Sequence, residues 1–319
     1  AEVNIGYTAG IETTKVAPLW LQKGNDMDKI LVVSNHARST YINTKVNAVN
    51  RSTGESVPYN LDTPVEVVWE STPRPEPENI PGLNLDYDFN FVMVSQVSPR
   101  KNFVNALKWW VEEFIDQEVG LVIKGNIKCN SLSDYIHLEP IVSSILSKYP
   151  DRKCKVYLLH GDLSSGQMIG LYTNPRIKAM VNIAHGEGFG LPMFEAAREG
   201  LPIVTIGWSG QVDFLMDGEN KNFQEVEFSL SPVQPEAVWN GVIEKDSMWA
   251  SADQGSYKIA LRRTFKNYDQ AYEKAQEAQE YISKNFNDEK LYEGFVTAIY
   301  GEQIDVDAWL KELEDDIVE

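Results

Sequence analysis

The chain has 319 residues, and 29 Lys and Arg against 47 Asp and Glu give it a formal net charge of −18. This acid excess argues against nucleic acid and an anionic membrane as the main partner, because both need a positive field. It leaves room for a local basic pocket that binds a phosphate. The hydrophobic fraction of 43% is typical of a globular chain, and the length suits one large domain or two medium ones.

The two cysteines, Cys129 and Cys154, are too few for a disulfide framework or a Cys-rich zinc site. They favour a reducing compartment, so we expect a cytoplasmic protein, with a peripheral place at the membrane left open. No apolar run approaches the roughly 18 residues that span a bilayer. The first residues, AEVNIG, lack an initiator Met and the features of a signal peptide, which predicts a processed chain or a fragment.

Short apolar runs alternate with amphipathic segments, a rhythm typical of βαβ units and a parallel sheet. Several runs are apolar at nearly every position, as strands buried on both faces are. The predicted strands are 29–34, 65–70, 89–95, 120–124, 155–160, 177–183 and 202–206. The predicted helices include 102–114, 138–148 and 192–198.

A proline-rich stretch interrupts this rhythm. Residues 71–82 read STPRPEPENIPG, and prolines at this density favour extended chain and exclude regular helix. We therefore predict an interdomain linker there. The predicted organisation is a partial N-terminal domain over 1–72, a linker over 73–88, an α/β domain over 89–290, and C-terminal helices over 291–319. We expect these last helices, including an acidic amphipathic one over 306–319, to pack back on the N-terminal domain.

The most informative segment is a glycine-rich loop that follows a predicted strand. Residues 185–200 read HGEGFGLPMFEAAREG. Pro192 suits the first position of a helix, and Gly200 suits the position just after its last turn. The alternate glycines before Pro192 let the backbone come close to a ligand. Free N–H groups at the start of the helix then favour an anion such as a diphosphate.

Two glutamates belong to this segment. Glu187 lies in the loop and Glu195 about one turn into the helix, so both carboxylates can face one pocket. Because a carboxylate repels a phosphate, both side chains are better suited to accept hydrogen bonds from hydroxyl groups. Diphosphate with hydroxyls describes a nucleotide sugar. The alternative is an ordinary strand-to-helix turn with two solvated acids, whereas the glycine spacing differs from the dinucleotide fingerprint and argues against a dehydrogenase.

The run 186–196, GEGFGLPMFEA, resembles the signature of retaining glycosyltransferases of the GT-B fold, in the large family that includes sucrose-phosphate synthases and bacterial mannosyltransferases. The hallmark of that family is two glutamates with seven residues between them, and Glu187 and Glu195 match it. The resemblance implies an α/β fold: a GT-B-type, Rossmann-like parallel-sheet domain with a second, incomplete α/β domain at the N-terminus. It makes Glu187 a catalytic residue and Glu195 the partner of the nucleotide ribose. The donor sugar and its phosphate would bind to Gly188, Phe189, Gly190 and Leu191.

A second segment extends the resemblance. Residues 91–102, FVMVSQVSPRKN, resemble the first strand and loop of the donor-binding domain, in which Lys101 matches a phosphate-binding lysine. Gln96 stands where the family usually has an arginine, and Arg100 is predicted to compensate. Cations here would neutralise the charge that develops on the departing diphosphate. The alternative for Arg100 and Lys101 is an ordinary surface pair, but a place at the carboxyl end of a strand favours the site.

Three further segments fit the same family. Residues 156–163, VYLLHGDL, resemble the strand and loop that hold the base, and residues 207–215, GWSGQVDFL, resemble a small-residue loop near the donor. Parts of residues 7–36 resemble the end of a GT-B N-terminal domain, which normally has several strands before this point. For His160 the alternative is an ordinary packed histidine, and for His36 it is a solvated loop histidine. The residues implied are His160, Gly161, Leu163, Ser209 and Gly210 on the donor side, and Glu12, Thr13 and His36 on the acceptor side.

The resemblance implies transfer of a sugar from a nucleoside-diphosphate donor to a hydroxyl of a glycan, lipid or small molecule, with retention of anomeric configuration. No cofactor and no metal are expected. The Asp-x-Asp triplets at 26–28, 86–88 and 305–307 are what chance gives in an acid-rich chain. The expected partners are the nucleotide sugar and the acceptor, with a homo-oligomer or a partner subunit that supplies missing strands left open. Two alternatives remain: a donor-binding fragment or subunit without independent activity, and, less favoured, a sugar-nucleotide epimerase.

Overall fold

The structure, a computed structural model, describes residues 3–49 and 52–301. The predicted helix over 306–319 and the triplet at 305–307 lie outside these residues. The first elements are β1 (Ile5–Thr8), α1 (Pro18–Gly24), β2 (Lys29–Val32), α2 (Asn35–Asn43), β3 (Val46–Val49), β4 (Ser56–Tyr59) and β5 (Val65–Val67). They are followed by β6 (Asn90–Gln96), α3 (Phe103–Glu113), β7 (Gly120–Asn126), α4 (Leu132–Leu146), β8 (Lys155–Leu159), α5 (Ser165–Tyr172), β9 (Ile177–Asn182), α6 (Leu191–Arg198) and β10 (Ile203–Ile206). The last are α7 (Val212–Leu215), β11 (Met216–Asp217), β12 (Asn220–Lys221), β13 (Gln224–Val226), β14 (Phe228–Pro232), β15 (Met248–Ala252), α8 (Gln254–Lys266), α9 (Tyr268–Asn285) and α10 (Asp288–Tyr300).

The N-terminal elements form a small parallel sheet in the order β1-β2-β5, with β3 and β4 as a separate antiparallel hairpin. Both strands predicted here are shorter than expected. Strand β2 ends before Ser34, because the Ser34 hydroxyl accepts a 3.1 Å hydrogen bond from the Ala37 N–H and caps α2. Strands β1, β3 and β4, each of four residues, were not predicted, since so few residues give little periodicity.

The larger sheet has six strands in the order β13-β10-β9-β6-β7-β8, and its neighbouring strands are parallel. Its central strand shows why apolar runs predicted it. Phe91 and Val92 are both fully buried, yet they belong to two different core clusters. Phe91 packs in the cluster that includes residues of α3, α4 and α8, and Val92 in the one that includes α5, α6 and α9. The predicted α/β fold with a parallel sheet covered on both faces is confirmed.

The order of the strands reverses beside β6. The chain adds β7 and β8 on one side of β6, then returns so that β9 and β10 lie on the other side. In open parallel sheets, ligands bind in the crevice at the carboxyl ends of the strands where the order reverses. Strand β6 ends at Gln96 and β9 at Asn182. The crevice is therefore bounded by the loops 97–102 and 183–190.

Two segments connect the small sheet with the rest of the molecule. From α10, the Ala298 side chain packs with Leu31 and Val68, and the Ala298 carbonyl accepts a 2.7 Å bond from Lys29 Nζ. The segment 233–247, here called the strap, reaches the small sheet from the other side, and the Gly241 carbonyl accepts a 2.9 Å bond from Trp20 Nε1. The proposed domain boundaries stay a prediction. Within the described residues, we find no helix that is both long and apolar enough to cross a membrane.

Candidate functional site

The Glu187 carboxylate is the centre of a buried ion cluster in the crevice between β6 and β9. Lys101 Nζ lies 2.6 Å and 2.7 Å from its two oxygens. Arg100 Nη1 lies 3.1 Å from Oε2, and Asn182 Nδ2 donates to Oε1 at 3.0 Å. The loop after β6 thus meets the loop after β9 through three contacts on one side chain. Asn182, the last residue of β9, adds a fourth contact to the same carboxylate. The structure brings together the three residues that the sequence predicted to be catalytic.

The cations decide the ionisation of this carboxylate. Only 7% of the Glu187 side chain is exposed, and burial alone would raise its pKa. The charges of Lys101 and Arg100, with hydrogen bonds from Lys101 and Asn182, outweigh burial and hold the pKa below its ordinary value. Glu187 is therefore an anion at neutral pH, and it fixes the ammonium group of Lys101 within the crevice.

The glycine loop presents unsatisfied backbone donors beside this cluster. Gly190 has φ of 101° and precedes the first residue of α6, a backbone conformation that L-residues rarely adopt. The N–H groups of Gly188, Phe189 and Gly190 donate no hydrogen bond to any residue that the structure describes. Phe189 contributes only its backbone, because its ring is buried among Phe194, Phe214 and Phe286. Three backbone donors at the start of a helix are suited to an anion.

The loop after β10, residues 207–211, is hydrogen-bonded to the glycine loop, residues 185–190. Ser209, with φ of 76°, accepts a 2.9 Å hydrogen bond from the Glu187 N–H through its hydroxyl. The Gly210 N–H donates to the Glu187 carbonyl at 2.9 Å. A Cβ on Gly210 would lie 1.9 Å from the Gly188 carbonyl oxygen, so only glycine permits this approach. Ser209 and Gly210 thus hold the Glu187 backbone in place.

The residues predicted on the acceptor side lie on two segments of the N-terminal unit. Glu12 Oε1 is 3.2 Å from Arg100 Nη1, so Glu12 belongs to the ion cluster. Burial raises the pKa of Glu12, as does nearby Glu187, while Arg100 opposes the rise. Thr13 is 1% exposed and donates its hydroxyl hydrogen bond to the Lys15 carbonyl.

His36 lies on α2 and meets the Trp208 ring edge-on, with 4.7 Å between ring centres. Its Nε2 atom is buried without a hydrogen-bond partner among the described residues. Burial lowers the pKa of His36 to about 4, against the opposing effect of the Ile11 and Thr13 backbone. His36 is therefore neutral at physiological pH and packs next to the loop after β10.

Glu195 occupies a separate position on α6. Its Oε2 accepts a 3.2 Å hydrogen bond from Tyr172 Oη, at the end of α5. Burial raises its pKa, with Tyr172 and the charge of Arg198 opposing the rise. No hydrogen bond or ion pair among the described residues joins Glu195 to Glu187. The two glutamates share a helix start but serve two neighbouring positions.

The predicted base-binding residues lie further along the same edge of the sheet. His160 follows β8, and its Nε2 is 3.1 Å from Asp134 Oδ1. Asp134 also accepts backbone hydrogen bonds from residues 127–129, which close the loop after β7. Gly161, with φ of 107°, and Leu163 lie with His160 in the loop after β8. Gln96 is exposed at the end of β6, and among the described residues no hydrogen bond or ion pair joins its side chain to the ion cluster.

Sequence reasoning missed Asn182 and the contacts of Asp213. Asn182 is a polar residue at the carboxyl end of an otherwise apolar strand, which is the signal that could have found it. Asp213 Oδ2 accepts hydrogen bonds from the Asn35 N–H at 2.8 Å, from Asn35 Nδ2 at 3.1 Å and from Trp69 Nε1 at 2.8 Å. Asp213 thus ties α7 to α2 and to the segment after β5. Within the described part of the chain, no group of His, Cys, Asp and Glu is placed to hold a metal ion.

Comparison with solved structures identifies the fold. The trehalose-6-phosphate synthase OtsA aligns with a TM-score of 0.59 at 12% identity, over 95% of this chain and 68% of that one. HepE from Anabaena, solved with UDP and glucose, gives 0.59 at 12% identity, over 92% and 71%. Sucrose-phosphate synthase from Thermosynechococcus elongatus gives 0.55 at 15% identity, over 85% and 58%. The fold is that of the GT-B glycosyltransferases, as the sequence predicted.

A second similarity is found at the level of sequence. The serotype-specific mannosyltransferase WbdA of Escherichia coli is 29% identical over 119 residues, which is 36% of this chain. The chain spans only 13% of the length of that relative. No protein-family model matches the chain.

Proposed function

We propose that the protein transfers a sugar from a nucleoside-diphosphate donor to an acceptor hydroxyl, with retention of anomeric configuration and without a metal ion. One observation carries the proposal: the unsatisfied N–H groups of residues 188–190 lie beside Arg100 and Lys101 where the strand order reverses. Backbone donors and two cations are what a diphosphate requires. The shared fold with enzymes such as HepE, whose structure holds UDP and glucose, supports the same assignment.

The proposed reaction is a substitution at the anomeric carbon of the donor. The acceptor oxygen forms its bond to that carbon on the face from which the diphosphate leaves, and the bond from the carbon to the phosphate oxygen breaks. An oxygen of the departing diphosphate takes the proton of the acceptor hydroxyl. Arg100 and Lys101 stabilise the charge on the leaving group, which is the task of a metal ion in other transferases.

The carboxylates have different tasks in this proposal. Glu187, held ionised by its cations, accepts a hydrogen bond from a hydroxyl of the donor sugar and positions Lys101. Glu195 accepts hydrogen bonds from the ribose, with its orientation set by Tyr172. The loop 160–163 after β8 faces the base. Most of the catalytic effect then comes from positioning and from preorganised charge.

The proposal is tested with the purified chain and a panel of UDP-, GDP- and ADP-sugars, each offered with simple glycoside acceptors. We expect release of a nucleoside diphosphate and a glycosylated product, whose anomeric configuration is read by proton NMR against that of the donor. Turnover should be unchanged by excess EDTA. An inverted product or a strict metal requirement would contradict the mechanism, and a chain that binds no nucleoside diphosphate would contradict the function.

A second candidate is a donor-binding unit that needs a partner for catalysis. The N-terminal sheet has three strands within the described residues, and the chain spans only part of the proteins it resembles. In this case the chain binds UDP or GDP but transfers no sugar by itself. The same panel separates the two candidates, because binding and product formation are measured on one preparation.

A further inference from the structure

Arg100 is shared between two carboxylates that come from different parts of the fold. Its Nη1 atom lies 3.1 Å from Glu187 Oε2 and 3.2 Å from Glu12 Oε1. The same atom donates to the Gly186 carbonyl at 2.8 Å. Glu187 belongs to the loop after β9, whereas Glu12 belongs to the loop after β1 in the small sheet. Glu12 therefore reaches across to a cation of the proposed diphosphate site.

The segment 9–12 around this carboxylate lies directly on the glycine loop. A Cβ on Gly188 would be 2.8 Å from the Ala9 carbonyl oxygen, and a Cβ on Gly186 would be 2.6 Å from the Glu12 carbonyl oxygen. Both distances are shorter than ordinary van der Waals contact, so a side chain at either glycine would clash with the backbone of this segment. The segment 9–12 thus packs against the loop whose N–H groups we assign to the diphosphate, with the carbonyl oxygens of Ala9 and Glu12 next to Gly188 and Gly186.

The cluster is electrically balanced without any ligand. Arg100 and Lys101 supply two positive charges, and Glu12 and Glu187 supply two negative charges. All four side chains are at most 24% exposed, so their interactions are weakly screened. Lys101 is held by both oxygens of Glu187, whereas Arg100 is divided between the two carboxylates. A diphosphate that binds Arg100 must therefore compete with Glu12.

We propose that the Glu12 carboxylate is an internal competitor of the donor diphosphate, which holds Arg100 in the ligand-free protein and releases it when the donor binds. This inference rests on the proposed function of the same site. Glu12 is then a positioning residue that keeps Arg100 in the crevice, and its presence lowers the affinity for the donor. It differs from the sequence prediction, which placed Glu12 on the acceptor side.

The test measures the dissociation constants of UDP, GDP and inorganic pyrophosphate by calorimetry for the whole chain and for Glu12→Gln. Pyrophosphate serves as a probe that is independent of the base. The variant leaves the cluster with one uncompensated positive charge, so we expect each constant to fall by roughly fivefold or more. Glu12→Asp keeps the charge and provides a second variant, for which we expect a value between those of the wild type and Glu12→Gln.

Asp246→Asn is the matched control. Asp246 pairs with Lys15 and ties the loop after β1 to the strap, so its loss also removes an ion pair between these parts without touching Arg100. We expect no change in its dissociation constants. Equal tightening in Asp246→Asn would point to a general loosening and overturn the inference.

The remaining outcomes also decide. Unchanged or weaker binding by Glu12→Gln, with binding by the wild type, overturns the inference and leaves the proposed function standing. Binding by Glu12→Gln alone supports the inference in its strongest form. Absence of binding of all three probes by the wild type and every variant overturns both.

Discussion

Lys101 and Arg100 hold the pKa of Glu187 below its ordinary value in a place where burial alone would raise it. The sequence predicted that Arg100 and Lys101 belong to a site, because they follow a buried strand. It predicted the same of Glu187, because it lies in a glycine-rich loop. The sequence did not indicate that the lysine bonds to both oxygens of that glutamate, since this contact joins loops 86 residues apart. At the scale of single residues, the site is a set of charges that a ligand must rearrange.

Replacing Lys101 with Met removes the ammonium group and keeps an unbranched side chain. We expect kcat to fall by about 100-fold or more, because a charge aimed at the leaving group is lost. Lys108→Met is the control, since Lys108 is an exposed lysine of α3 that approaches Glu112 only to 3.8 Å. Steady-state kinetics with a thermal melt of each variant checks the prediction. A large fall in melting temperature with kcat preserved would make Lys101 structural.

Replacing Glu187 with Gln should lower stability in a way that depends on pH. The depressed pKa of Glu187 means that its charge stabilises the folded state above the unfolded pKa of about 4.5, and that this stabilisation is lost as the pH falls through the folded pKa. At pH 7 we expect a loss of about 3 kcal/mol, because the variant leaves the charge of Lys101 without an anionic partner.

Urea unfolding of the wild type and of Glu187→Gln at pH 7, 5 and 4 tests this. The difference between the two should be largest near neutral pH and shrink towards pH 4. Glu66→Gln, which breaks a more exposed pair with Lys29, is expected to cost less than about 1 kcal/mol. A difference that is equal at every pH would contradict the assignment of an ionised Glu187.

Replacing Glu195 with Ala should weaken the binding of UDP or GDP by about 1.5–3 kcal/mol, because a charged acceptor for the ribose is lost. Pyrophosphate, which has no ribose, provides an internal control and should bind as to the wild type. Calorimetry with both ligands checks this. Equal loss for both ligands would place Glu195 at the phosphates or in the structure of α6.

At the scale of elements, the strands of the larger sheet were predictable because they are buried on both faces. Runs such as 177–183 and 202–206 contain few polar residues, so their apolar composition alone predicts buried strands. Helix α4 begins at Leu132, six positions before the predicted start at 138, because Ser131 caps it with a 3.2 Å bond from the Asp134 N–H. Strands β14 and β15 were missed, since their pairing depends on residues about 20 positions apart.

The close contact between the loop after β10 and the glycine loop leads to a prediction about these two elements. Gly210→Ala should separate the loop 207–211 from the glycine loop, because the added Cβ meets the Gly188 carbonyl. We expect a loss of roughly 2 kcal/mol or more in stability, with weaker binding of nucleoside diphosphates. Gly294→Ala in α10 is the control: outside its own helical turn, no atom of the described residues lies within 4 Å of the added Cβ, and the variant should gain about 0.4–1 kcal/mol. Equal melting temperatures of the two variants would contradict the packing described.

At the scale of the whole molecule, the site depends on contacts between the small sheet and the larger one. Glu12, Asp213 and the strap each join parts of the chain that are far apart in sequence. The family resemblance predicted donor-side and acceptor-side residues on these parts but not which side chains would bridge them, because bridging depends on geometry that no local pattern encodes.

The central claim is that the N–H groups of residues 188–190 bind the diphosphate, and hydrogen–deuterium exchange with and without a nucleoside diphosphate tests it most directly. In the structure these groups donate no hydrogen bond to the described residues, so without a nucleoside diphosphate they should exchange quickly. With saturating UDP or GDP, whichever binds, we predict marked slowing in the peptide that contains residues 186–191. Binding of either ligand with unchanged exchange in that peptide would contradict the account.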